Sequence, residues 1–459
     1  MLKKLLLAAL LIAPALPANP AIAADSTPVA FPDAVGPAAA TPGGRGWRII
    51  RVTTLAPDGP GSFKAAVEAK GPRIVVFEVG GVIDLGRETL TITEPYLTIA
   101  GQTAPGPGIT LIRTGIDVKT HDVVMRHLRV YTGVDGQPKR SGWEADAFST
   151  VAAQNVIVDH CTFLWALDEN MSASGPRFTG KTVEEWRKGT SRNVTFSNNL
   201  AAEGLADASH PKGEHSKGSL VHDNTTGIVF YRNIWAHNVE RAPLVKGGAQ
   251  VLIINNLIYN PKHRAVHYNL MNLEWTGHAY VTGQITAIGN VMRGGNDTDE
   301  GLPFLMLGGD GDLDYFGKDN LAVDRHGNAL PEFGRYGETQ AKLVRAQAPL
   351  APTGGYSILP VRDVETSVLA TAGARPWARD AEEIRILFFV AEGRGQVIDD
   401  EKQVSAYPRV EEPVRAPFVE RDWNLATMEP KSGVYPAQTA PIPQEHLSAR
   451  DLDSRGSVK

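Results

Sequence analysis

The sequence predicts an all-β solenoid of stacked parallel sheets, followed by a C-terminal extension of loops with one helix. Three observations lead there. Short runs recur with one pattern: an alternating or apolar stretch, a polar Asn, His or Gly position, then another apolar residue. The runs are rich in Val, Ile and Thr and are separated by Gly- and Asn-rich turns, which is the composition of strands. No helical periodicity lies between them, so strand-bearing repeats follow one another as in a solenoid rather than in βαβ units.

In chain order, Lys3 and Lys4 precede an apolar run from Leu5 to Ala13, and Ala21-Ile22-Ala23 supplies small residues for cleavage. Residues 1–23 therefore read as a signal peptide, with a run too short to span a bilayer. Pro14, Pro17 and Pro20 would break a mature helix there. No later stretch approaches about 20 apolar residues, so no membrane span is expected, and the destination is the periplasm or the medium.

Residues 24–310 carry the repeats. Clear examples are Val123–Val130, Asn155–Phe163, Asn193–Ala201, Gly227–Trp235, Gln250–Ile258 and Gln284–Met292. Set in register, they place Leu128, Cys161, Asn199, Asn233, Asn256 and Asn290 at equivalent positions, with steps of 33, 38, 34, 23 and 34 residues. The shortest step approximates the bare coil, and longer steps carry loops on one side. The four Asn can stack inside a turn, each amide satisfying backbone groups of its own and neighbouring coils. A β-sandwich or propeller is the alternative, but a propeller needs a more regular period.

The pattern fades after about residue 300, so 311–459 reads as an extension, mostly irregular. Asp380–Glu392 is its one expected helix, with apolar residues at helical spacing and acids in the first turn. The proline-containing last forty or so residues are expected on the surface or partly disordered. No chemistry is assigned to the extension.

Composition sets limits. A chain of 459 residues accommodates one large β domain plus an extension, and Gly 46 with Pro 31 implies many turns. The net charge of −5 argues against a nucleic-acid partner. Cys161 is the sole cysteine, so no intramolecular disulfide can form; it reads as a small buried apolar residue.

Charges are segregated. Between Ser141 and Ser172 stand Glu144, Asp146, Asp159, Asp168 and Glu169, with no Lys or Arg. Between Ser209 and Lys246 stand Lys212, Lys217, Arg232, Arg241 and Lys246 against three acids, Glu214, Asp223 and Glu240. Either cluster alone fits a solvated face; together on neighbouring coils they favour a site for a hard cation and an anionic ligand. Glu144 and Asp146 are two apart, so in a strand both carboxylates share a face. Asp168 can join them from the next coil, and three convergent carboxylates repel unless a cation neutralises them. Oxygen ligands without His or Cys suit Ca2+, which tolerates irregular geometry. Salt-bridged surface acids are the other reading of this spacing.

Several motifs, in order, carry a family resemblance. Glu144-Ala-Asp146-Ala, then Val156-Ile-Val-Asp159-His160-Cys161, then Asp168-Glu169 resemble the core of the pectate lyases, polysaccharide lyase family one. Arg241-Ala-Pro-Leu-Val-Lys246-Gly-Gly resembles that family's second signature. Pro60-Gly-Ser-Phe-Lys-Ala-Ala-Val, Ile99-Ala-Gly-Gln-Thr-Ala-Pro-Gly and Ala372-Gly-Ala-Arg-Pro-Trp resemble a bacterial branch, so the likeness runs from about 31 to about 408. The resemblance implies a right-handed parallel β-helix that uses calcium to cleave α-1,4-linked polygalacturonate, an anionic polysaccharide, by β-elimination.

Residue by residue, it implies Glu144, Asp146 and Asp168 as calcium ligands and Arg241 as the base. Lys217 matches a lysine on the substrate carboxylate, with Lys212 nearby as the alternative, and Lys246 matches a second substrate-binding cation. A monomer is expected. The chain also departs from the pattern. Ser172 stands where a fourth acidic ligand is common, which weakens calcium in the free protein. Lys246 stands where Arg is common and cannot pair bidentately. Arginine is an awkward base because it is ordinarily protonated; nearby calcium and lysine would favour its neutral form.

Other residues read as structural. Asp159 and His160 suit hydrogen bonding within a strand. His210, His215, His222 and His237 lack the helical spacing of a zinc pair. Trp143, Trp165 and Trp235 suit a sugar cleft or core packing equally. Two rival functions remain: a β-helical hydrolase such as a polygalacturonase, whose paired-Asp and Gly-His-Gly signatures are missing, and a non-catalytic polyuronate-binding β-helix.

Overall fold

The computed structural model describes residues 28–409 and 412–436; the expected signal peptide lies outside them. The chain coils through three long parallel sheets. The first has 11 strands, from Arg48–Val52 to Leu343–Arg345; the second has 10, one of them the antiparallel Val414–Arg415 added from the C-terminal segment; the third has 9. Each turn of the coil adds one strand to each sheet, giving a parallel β-helix. Among the described residues, no helix is long and apolar enough to cross a membrane.

The interior is built from like-on-like stacks, because parallel in-register pairing sets equivalent residues above one another. Val123, Val156, Val194, Ile228, Val251 and Ile285 form one such column in the first sheet, all buried. Phe196 stacks on Phe230 with centroids 5.1 Å apart.

Between the first and second sheets the chain bends in two residues, the first in the left-handed region (His127, His160, Asn198, Arg232, Asn255). The second is the register position read from the sequence. Asn199, Asn233 and Asn256 each donate Nδ2 to the Oδ1 of the next Asn at 3.0 Å, ending on Asn290. Each Oδ1 also takes a backbone N–H, Cys161 donating to Asn199 at 2.8 Å. The ladder gains a fifth member, Asn320. Cys161 sits at the head of the column, fully buried, its thiol pushed up to about 12 by burial.

The coils also continue past residue 310, the boundary expected from sequence, through Leu313–Lys318, Leu321–Val323, Phe333–Arg335 and Leu343–Arg345. These last strands are only partly buried, so solvent-facing polar residues break the apolar pattern that marks the earlier ones.

Among the described residues, four α-helices accompany the coil. The first, α1 (Phe63–Glu68), buries Phe63, Ala66 and Val67 in the interior core at the N-terminal end of the solenoid. The second, α2 (Val183–Gly189), is closed by a capping box of Thr182 and Glu185. The others, α3 (Val361–Thr371) and α4 (Ala381–Glu392), lie in the C-terminal extension. The expected 380–392 helix is α4, with Asp380 as its N-cap and Gly393 in the left-handed conformation at its end.

These pieces cover two of the three outer faces. Val364, Val368, Ile386, Leu387 and Val390 pack on the outward residues of the second sheet, among them Tyr131, Leu200, Ile234 and Leu257. The N-terminal segment lays Ala30, Phe31 and Ala38 on Val124 and Ile157 of the first sheet. The third sheet differs. Its outward positions include Ser149, Ser172, Ser174, His222, Lys246, His267 and Asn269, alternating with inward Ala173, Val221, Val245 and Tyr268. A parallel sheet buried on both faces is apolar throughout; this one is apolar inside and mixed outside, where Leu220 and Leu244 stand in register with His267.

Candidate active site

The turns from the second sheet into the third bring the charged segments together. On successive coils they contain 144–147, 165–171, 203–219 and 237–243. Glu169, Lys217 and Glu240 stack rung upon rung through parallel bridges, so the acidic and basic segments do face one another. Gly218 is required here: a Cβ would meet the Arg241 carbonyl oxygen at 2.4 Å. Arg241 itself is held at φ 71°, which aims its side chain back over the preceding coils.

Three carboxylates, Asp146, Asp168 and Glu169, offer oxygens within 4.8 Å of one another. This differs from the expected set. Glu144 is half-exposed, and its carboxylate faces His210 Nε2 at 2.9 Å. The same-face argument required a strand at 144–146, but the strand begins only at Phe148, so period two does not apply. Glu169 takes the third place, next in sequence to Asp168, whereas Ser172 is buried and its Oγ accepts the Leu220 amide at 3.4 Å.

The cluster is electrostatically uneven. Burial, then the charges of Asp168 and Asp117, push the Asp146 carboxyl well above the ordinary range. Burial also raises Asp168, but hydrogen bonding from His215 at 2.7 Å and nearby Arg241 outweigh it and leave it lowered. Arg241 pairs with Glu169 and lies 4.0 Å from Asp168. Its own pKa is lowered by burial despite these acids. Oxygen-only donors with too little positive charge around them fit a hard divalent cation.

Lys217 and Lys246 already have acidic partners. Lys217 is buried and donates to Glu240 Oε1 at 2.6 Å; Glu240 also pairs with Arg264. Burial raises Glu240, but His267, Lys217 and Arg264 outweigh it and take it down to about 2. Lys246, at the end of its third-sheet strand, donates to Glu274. Lys212 lies exposed on the 203–219 loop, its backbone N–H donating to His210 Nδ1 at 3.2 Å.

His210 and His215 are brought together by that loop rather than by helical spacing. Their rings stack with centroids 3.5 Å apart, and both Nε2 atoms face Asp168, at 3.8 and 2.7 Å. Because His210 Nδ1 accepts an amide, its proton sits on Nε2, toward the carboxylates. Their His/Asp proximity in the fold carried no sequence signal beyond the residue types. Asp159 accepts from Arg126, Ser197 and Asn198 and pairs with His160 at 2.7 Å, a buried structural node. Trp165 and Trp235 are core residues, bonded to Glu203 and Ser219; Trp143 is partly exposed beside the 203–219 loop.

A family model described as "Pectate lyase" matches residues 4–290. The chain belongs to the pectate lyase family. A probable pectate lyase C of Emericella nidulans is 35% identical over 233 residues, covering 50% of this chain and 48% of that protein. Another, of Aspergillus flavus, is 33% identical over 278 residues, covering 59% and 55%. The aligned region thus spans about half the length of these fungal relatives. Among solved structures, the major allergen of cedar pollen superposes with a TM-score of 0.51 at 14% identity, over 74% of this chain and 92% of that one. The shared fold is the right-handed parallel β-helix.

Proposed function

We propose that this pectate lyase family member is an exported enzyme that cleaves polygalacturonate by β-elimination with calcium. The observation that carries the reading is the placement of Arg241: a partly buried guanidinium of lowered pKa beside a carboxylate cluster, on the rim of the third sheet. Asp146, Asp168 and Glu169 would hold the ion, with Glu144 near the rim. A bound calcium would neutralise these acids and polarise the substrate carboxylate, making the adjacent C5 proton more acidic.

The chain's own residues supply the rest. Arg241, in its neutral form, takes the C5 proton; a cation near the acids pushes it further toward that form. Lys217 stabilises charge developing on the uronate carboxylate, exchanging its Glu240 partner for the substrate. Lys246 binds a carboxylate farther along, five residues from Arg241 and so at most about 18 Å away. Exposed Lys212 adds attraction for the polyanion from the loop. The polar outer face of the third sheet is the floor on which the polymer lies.

Incubation of the purified protein with polygalacturonate, with calcium and then with chelator, tests this. The expected result is ultraviolet absorbance from unsaturated ends that stops on chelation. New reducing ends without that absorbance would make the protein a hydrolase, and binding without cleavage would make it a polyuronate-binding protein.

A further inference from the structure

On the side of the third sheet opposite Arg241, two loops rise before the chain re-enters the first sheet, at 175–191 and 271–282. Arg177 comes from one, Glu274 from the other, and Lys246 reaches between them from the sheet. The Glu274 carboxylate is shared: Oε2 accepts from Lys246 Nζ, and Oε1 lies 3.5 Å from Arg177 Nη2.

The two cations and the acid are held differently. Arg177 is fixed independently by fully buried Asp223, which accepts from its Nε at 2.9 Å and from Trp275 Nε1 at 2.7 Å. The backbone turn Asn272–Trp275 is also fixed, by Asp310 on the Asn272 amide at 2.8 Å and by burial of Trp275. The Glu274 side chain, at 31% exposure, is held among the described residues by the two cations alone. It can swing to solvent by side-chain rotation alone, leaving a lysine and a pre-oriented arginine facing the floor of the cleft. That pair is a receptor for a planar carboxylate.

We propose that Arg177 and Lys246 form a carboxylate subsite for the uronate polymer and that Glu274 fills it in the free protein as an internal competitor. The inference rests on the polyuronate reading above. It adds Arg177 as a substrate-binding residue and Glu274 as the residue that sets affinity. Substrate binding exchanges one carboxylate for another, so the cations are never left bare. Removing the competing charge while keeping its shape should therefore tighten binding, whereas removing a merely structural ion pair should not.

Titration calorimetry of trigalacturonate into wild type and Glu274→Gln, in chelator to prevent turnover, tests it. The expected result is binding about tenfold tighter in Glu274→Gln, equivalent to about 1.4 kcal/mol, with no gain for the fully methyl-esterified trimer. With calcium, KM for polygalacturonate should fall in parallel, and adding Arg177→Lys should reverse part of the gain. Equal or weaker binding in Glu274→Gln, with wild type still active as a lyase, overturns the subsite alone. Failure of both proteins to bind the trimer in chelator, together with no unsaturated product from polygalacturonate in calcium, overturns it along with the functional reading.

Discussion

Replacing Arg241 with alanine removes the proposed base and the partner of Glu169 at once. Turnover should fall by about 10²- to 10⁴-fold, the usual span of a general base. Calcium affinity should not fall with it, because the substitution deletes a positive charge beside Asp146 and Asp168. Initial rates and calcium titration on the same preparation check both, and a parallel loss of calcium would make Arg241 a structural counterion instead. Individual site residues were unevenly legible from sequence. Asp146, Asp168, Arg241, Lys217 and Lys246 lie in recognisable motifs. Glu169 and Glu240 stood in the charged segments without an assigned role and Glu274 was not named, because their roles come from turns that stack different coils, and no period in the chain records that. The same-face argument for Glu144 fails for the same reason: spacing of two has meaning only within a strand.

Among the elements, the asparagine ladder was readable because a stack of identical side chains repeats with the coil, whatever the loops add between. Asn233 accepts from Asn199 through N–H and Nδ2 and donates to the Phe196 carbonyl and Asn256. Asn233→Ala strands several fully buried polar groups, each costing about 1–3 kcal/mol. A loss of about 3 kcal/mol in denaturant unfolding is expected; a loss under about 0.5 kcal/mol, the range of ordinary surface changes, would mean water replaces the amide. Helix α4 was legible by the acids of its first turn and its period. Its attachment was not, since it depends on Glu383, fully buried, accepting from Arg129 at 3.0 and 2.8 Å and from Ala374 N at 2.8 Å. Glu383→Ala leaves buried Arg129 with Asp380 as its carboxylate partner, beside the Pro107 and Ala378 carbonyls, and should cost about 3 kcal/mol. Hydrogen exchange should show the loss concentrated in α4 and its contacts. Helix α3 carries buried Val364 and Val368 at a four-residue interval, a signal too short to stand out among loops.

For the whole molecule, burying so many polar groups in a disulfide-free solenoid ties its stability to pH. His237 and His267 are buried and held neutral: burial outweighs the opposing charge of Glu203 and lowers His237 to about 4, and outweighs Glu240 to lower His267 to about 3. His127 is lowered the same way, by burial and then Arg126. Unfolded, each imidazole takes a proton near pH 6.5. Their contribution is therefore complete above about pH 6.5 and declines as pH falls, until each folded value is reached. Each costs roughly 1.4 kcal/mol per pH unit over that window. Glu240, lowered to about 2, acts lower still: its contribution is present above about pH 4.5 and fades toward pH 2. Urea unfolding should show stability nearly flat from pH 8 to 7 and falling steeply from 6.5 to 4. A His267→Gln protein, starting from whatever stability it retains, should show a slope shallower by roughly 1.4 kcal/mol per pH unit. An unchanged slope would mean that His267 titrates alike in the folded and unfolded chains.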